Sequence, residues 1–143
     1  MHPQVASRSI ERFLAVTSTV VCLGTTAEIW QIFSPQQPMW PLPGLYLIEI
    51  LLLTVAVVVV VVRDAGMGGS MIWGAVGAML AFAFMAAFSI GLLYAPVIVM
   101  LIAVGSLYLR RRKEPFAIHL ALGGAAALAQ GALMLATIRA LYP

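Results

Sequence analysis

The chain reads as an all-α integral membrane protein, a bundle of five transmembrane helices with the N-terminus inside and the C-terminus outside. Three observations predict this. First, of 143 residues, 63% are hydrophobic and 9% are charged, where a soluble domain has roughly 25% charged residues. A soluble fold of this size has too little interior to hide so much apolar side chain. Second, the apolar residues form long unbroken segments. Third, the basic residues fall between those segments on alternate links. The chain is a single polytopic domain, with short links and no internal repeat.

A spanning helix needs about 20 apolar residues, each rising about 1.5 Å. The first predicted span covers about 13–33, beginning at Phe13. The second covers 45–62, after a Pro-rich link from Ser34 to Pro43, and ends in a valine run from Val57 to Val62. Valine favours strands in water. In lipid the backbone groups must bond within their own segment, which selects helix.

From Met71 to Leu109 there are 39 residues without a charge. A single helix of that length would be about 58 Å long, nearly twice the hydrocarbon core. The stretch must fold back, giving spans at 70–90 and 92–109. The turn is expected between Ser89 and Pro96, where Ser89, Gly91 and Pro96 are the breakers. The last span covers 116–140. Glu114-Pro115 opens it well, with an acid at the positive end of the helix dipole and proline at the first turn.

Charge placement fixes the orientation. With the N-terminus inside, Arg8, Arg12, Arg63, Arg110, Arg111, Arg112 and Lys113 all lie inside, seven of the eight basic residues. Only Arg139 lies outside. The positive-inside rule makes the crowded side cytoplasmic. Trp30, Trp40, Tyr46, Tyr94 and Tyr142 then fall at the outer interface, where an aromatic belt belongs. The expected location is the cell membrane. Arg8, Arg12 and the apolar run to Thr25-Thr26-Ala27 have the outline of a signal peptide whose cleavage would remove residues 1–27. The threonine at 25 and the apolar continuation through Ile32 and Phe33 argue against it.

Two acids lie inside predicted spans. Glu28 is five residues from the end of the first, and Glu49 is five residues past Gly44. Each is therefore about 8 Å deep from the same face. Acids in a span are functional suspects by default. Two facing carboxyls in a low-dielectric site would share a proton, which is carrier chemistry or a cation site. Arg139 ends the fifth span near the same level, and an ion pair with it makes the cluster structural. His119 enters the fifth span near its start. It is a candidate ligand for haem or a pigment, but the only other histidine is His2 near the N-terminus, and an interfacial contact with Glu114 is the plainer reading. Gln130, mid-span, is expected to bond to a neighbouring helix.

Small residues mark helix contacts in lipid, where little else drives association. Ser70, Gly74 and Ala78 recur at spacing four on the third span. Gly123, Ala127 and Gly131 do so on the fifth, beside Ala132, Ala136 and Ala140. The Arg110, Arg111, Arg112, Lys113 run is read as a membrane-surface patch that fixes topology and meets anionic headgroups.

Several chemistries are excluded for want of residues. There is no nucleophile triad, no zinc motif and no phosphate loop. Gly66-Met-Gly-Gly69 lacks the lysine and the strand–helix frame that such a loop needs. Cys22, alone, can form neither an internal disulfide nor a thiolate cluster. No catalytic residue, metal site or cofactor is expected. The basic residues sit beside the membrane and not on a nucleic-acid footprint. The functional expectation is a non-enzymatic accessory or assembly subunit of a larger membrane complex, or a homo-oligomer, whose partners are the bilayer and other subunits or itself. The alternatives are a small proton- or cation-coupled carrier using Glu28 and Glu49, and pigment or haem binding through His119.

Overall fold

The computed structural model describes residues 3–35, 38–86 and 90–141; His2, Ser89 and Tyr142, singled out above, lie outside them. The described residues contain five α-helices and no strand: α1 (Pro3–Phe33), α2 (Gly44–Arg63), α3 (Gly68–Met85), α4 (Ala95–Arg112) and α5 (Phe116–Leu141). A 3-10 turn at Gly91–Tyr94 precedes α4. All five helices are long and apolar enough to cross a membrane.

Four of the helices close a ring. α1 packs on α2 and α4, and α3 packs on the same two. The interior is filled by Leu47, Val57, Ile72, Val76, Leu101 and Val104, with Tyr94 and Tyr108 at its two ends, all essentially inaccessible. Phe82 meets Tyr94 edge-on at 5.7 Å and 83°. The Tyr94 and Thr26 hydroxyls share a 2.8 Å hydrogen bond. α5 stands outside the ring and docks on α3.

The helix count matches the sequence reading, but several boundaries move. α1 starts ten residues before Phe13. Ser7 donates to Glu11 one turn on at 3.0 Å, so polar and charged residues continue the helix beyond its apolar length. α3 ends at Met85, not at 90. The chain turns back over itself there: the Gly91 N–H donates to the Ala86 carbonyl at 2.8 Å. A Cβ at Gly91 would lie 2.5 Å from the Ala83 oxygen, so the close approach requires glycine. Pro96, expected as a breaker, instead sits in the first turn of α4. A proline there forfeits no hydrogen bond. α4 runs to Arg112 rather than 109, which carries most of the basic run into the helix. Lys113 closes it in the left-handed region at φ 57°.

The aromatic residues divide. Trp30 and Trp40 are exposed, whereas Tyr46 and Tyr94 are core residues. Tyr94 is turned inward because Thr26 supplies a partner for its hydroxyl and Phe82 a partner for its ring.

Candidate functional site

Three polar or open features distinguish the molecule. The first is an ionic network at the end of the bundle where α1, α3 and α5 begin. Arg111 is its centre. Its Nε and Nη2 donate to the two oxygens of Glu11, each at 3.0 Å. Its Nη1 and Nη2 donate to Asp64 at 3.2 and 2.8 Å. This is the planar two-sided recognition of carboxylates that arginine alone provides. Glu11 is 1% exposed, so its oxygens rely on Arg111 and on the Ser7 hydroxyl for hydrogen-bond partners. Asp64 is also met by Arg8 at 2.9 Å and Arg112 at 3.5 Å. Arg112 reaches Glu114 at 3.8 Å. His119 Nε2 lies 2.9 Å from the other Glu114 oxygen, the expected interfacial contact. The hydrogen bonds from Arg111 hold the Asp64 carboxyl below its ordinary range, and burial opposes them only in part.

Local sequence explains how this network closes. The α3 start is Gly68-Gly69, and both glycines make room. A Cβ on Gly68 would strike the Tyr108 ring and hydroxyl. One on Gly69 would come within 2.8 Å of Glu114, His119 and Leu109. The Tyr108 hydroxyl donates to the Ala65 carbonyl at 2.6 Å. Its ring lies under both guanidinium groups, 5.0 Å from Arg111 and 5.4 Å from Arg112, within cation–π range. The glycine cluster that failed as a phosphate loop is thus a seat for α4 and α5 side chains.

The network divides the basic run that the sequence presents as one patch. Arg111 and Arg112 turn inward to acids. Arg110 and Lys113 stay exposed and, among the described residues, meet no acid.

The second feature is Glu49. Its Oε2 accepts a hydrogen bond from Gln130 Nε2 at 2.9 Å. The amide expected to bond to a neighbouring helix does so, and it ties α5 to α2. Glu28 and Arg139 are both exposed. No ion pair joins Glu28, Glu49 or Arg139 among the described residues. The partner of Glu49 is a neutral amide, not the arginine that depth alone had suggested.

The third feature is the outer surface of α5. Only His119, Gly123 and Met134 of this helix are buried. Its closest contact is with α3. A Cβ on Gly77 would run into the Gly123 backbone, and one on Gly123 would lie 3.0 Å from the Trp73 carbonyl oxygen. Trp73 and Phe116 meet edge-on at 4.9 Å beside this crossing. The small residue that α3 uses is therefore Gly77, whereas Gly74 has open space where a Cβ would stand. Past the crossing the helices leave an apolar groove of about 990 Å³ between them. Its walls include Leu80, Phe84 and Leu128, and Ala127, Gly131 and Ala132 lie along it. A Cβ on Gly131 would meet nothing within 4 Å. Of the predicted α5 row, Gly123 is used inside the chain, whereas Ala127 and Gly131 face the groove.

Sequence reasoning missed Glu11 and Asp64. Glu11 stands one turn after Ser7 and two residues before the first apolar segment, which is the one local signal it carries. No family model, no curated protein and no solved structure matches the chain.

Proposed function

We propose that the chain is a multi-pass protein of the cell membrane, with its N-terminus in the cytoplasm, that works without catalysis as an accessory or assembly subunit. It joins other membrane subunits, or copies of itself, by seating a transmembrane helix in the α3–α5 groove. The observation that carries this reading is the groove itself, a long apolar trough with small residues along it on a helix buried at three positions. In lipid, association is driven by close packing and not by water exclusion. A trough of glycine and alanine offers an incoming helix the backbone approach that lipid tails fill poorly. The ring of four helices serves as the rigid support.

The orientation is supported by the ionic network, which gathers the ends of α2 and α4 with the starts of α1, α3 and α5 at one face. That face also carries Arg12, Arg63, Arg110 and Lys113. Such an excess of Arg and Lys belongs in the cytoplasm. No observation favours the carrier or the pigment reading over this one. Glu49 is occupied by Gln130, and His119 Nε2 by Glu114.

The test is the mass of the protein extracted in mild detergent. Wild-type particles are expected to contain more than the single chain of 15.3 kDa. Gly131→Leu, which fills the trough, is expected to reduce them to one chain without lowering the unfolding temperature. A wild type that is monomeric in detergent and in lipid contradicts the reading.

A further inference from the structure

The geometry points to a binding site for the phosphate headgroup of an anionic phospholipid, in the cleft between the end of α4 and the start of α5. The cleft measures about 550 Å³ and is lined by Ser106, Leu109, Arg110, Lys113, Glu114 and Phe116. It rests on the membrane placement proposed above, with this face at the headgroup level.

Four features of these residues fit that ligand. Arg110 and Lys113 both line the cleft, and they are the two members of the basic run that meet no acid among the described residues. Ser106 stands one helical turn before Arg110, so its hydroxyl belongs to the same face and can donate to a phosphate oxygen. Leu109 and Phe116 give the cleft an apolar wall, suited to the glycerol and first methylenes of a lipid. Glu114 is the one acid in the lining, and each of its oxygens is near a side chain that does not line the cleft. One oxygen lies 2.9 Å from His119 Nε2, and the other lies 3.8 Å from Arg112. Lys113 adds a fifth. It holds the left-handed conformation at φ 57°, where glycine is the usual residue at a helix end. A lysine there aims a cation into the cleft at some conformational expense, which glycine would avoid.

The test measures the rise in unfolding temperature of protein in phosphatidylcholine nanodiscs as phosphatidylglycerol is added. Wild-type protein is expected to be stabilised. Near a membrane surface each cation contributes enough that Arg110→Gln or Lys113→Gly alone should weaken apparent affinity roughly five-fold, and the pair roughly thirty-fold. Lys113→Gly should unfold at an equal or higher temperature in phosphatidylcholine alone, since it relieves the backbone. Arg12→Gln, which removes an exposed cation at the same end, should change affinity little. Equal losses from Arg12→Gln and Arg110→Gln would mean diffuse surface attraction and overturn the site. Stabilisation by soluble glycerol phosphate as large as by the lipid would overturn the lipid assignment. Protein that enters phosphatidylcholine but gains nothing from phosphatidylglycerol overturns the site alone. Protein that never enters lipid overturns the membrane reading and the site with it.

Discussion

Arg111 and Glu11, a hundred positions apart in sequence, form a two-pronged ion pair whose charged atoms are 3.0 Å apart at both contacts. With Glu11 almost fully enclosed, this pair fastens the start of α1 to the end of α4 and closes the helical ring at one face. Asp64 takes the other side of the same guanidinium, which brings the α2–α3 link into the closure.

Removing one member of that pair should be severe. Arg111→Met leaves Glu11 buried without a cationic partner, with only the Ser7 hydroxyl to bond to it, and breaking a buried pair from one side costs about 3–5 kcal/mol. Adding Glu11→Leu to Arg111→Met should recover much of the loss, because two apolar groups can replace a buried pair at little cost. Thermal unfolding of the three variants in one detergent checks this. Single variants as stable as wild type would show that the pair does not close the ring.

Asp64 gives the closure a pH dependence. Its folded carboxyl lies below its usual 3.8, chiefly because Arg111 hydrogen-bonds to the charged form. A depressed carboxyl contributes stability that is complete above the unfolded pKa and is lost as pH falls through the folded one. At neutral pH the contribution is therefore fully present, and it should fade below about pH 4. Unfolding temperature against pH should show an acid limb that is shallower in Asp64→Asn. An identical limb in both proteins would assign acid lability to another group.

Two glycines on α3 should behave oppositely. Gly77 meets the Gly123 backbone, so Gly77→Ala must push α5 off α3, with an overpacking cost of about 1–3 kcal/mol. Gly74 faces open space, and Gly74→Ala should be neutral or stabilising by up to about 1 kcal/mol, since alanine suits a helix better. Comparing the two unfolding temperatures decides whether α5 docks where the structure has it.

Glu49 distinguishes assembly from transport. Glu49→Gln keeps a side chain that can still accept from Gln130, so the fold should lose little, whereas Gln130→Ala removes the donor and should cost about 0.5–1.5 kcal/mol. In proteoliposomes the account predicts no proton or cation flux for Glu49→Gln or Glu28→Gln to abolish. A flux present in wild type and absent in Glu49→Gln would replace the assembly reading with a carrier.

The number and kind of helices were legible because they depend on length and charge. The 39 uncharged residues from Met71 to Leu109 cannot form one helix in a bilayer, and the links are too short for anything but hairpins. The fold-back was harder to locate, since Gly91 is needed for its contact with Ala83 and Ala86, which only the folded chain supplies. Depth along a helix was legible and rotation about it was not. Glu28 and Arg139, matched by depth, are both exposed, and Glu49 instead finds Gln130. Glu11 was hidden for a related reason. It lies outside the apolar segment, where acids are ordinary, and only the continuation of α1 to Pro3 brings it beside Arg111. Gly68 and Gly69 looked like a loop motif because their purpose, room for Tyr108 and His119, involves residues far along the chain.

The central claim, that the α3–α5 groove receives another transmembrane helix, is tested most directly by photo-crosslinking in intact membranes. Cys22 is buried, so a benzophenone attached to Leu128→Cys, a highly exposed position on the groove wall, reports alone. The same probe on Phe13→Cys, also highly exposed but on α1 and away from the groove, is the control. The account predicts a discrete product heavier than 15.3 kDa from Leu128→Cys and none from Phe13→Cys. Lipid adducts alone at both positions, or the same protein product from both, would contradict it.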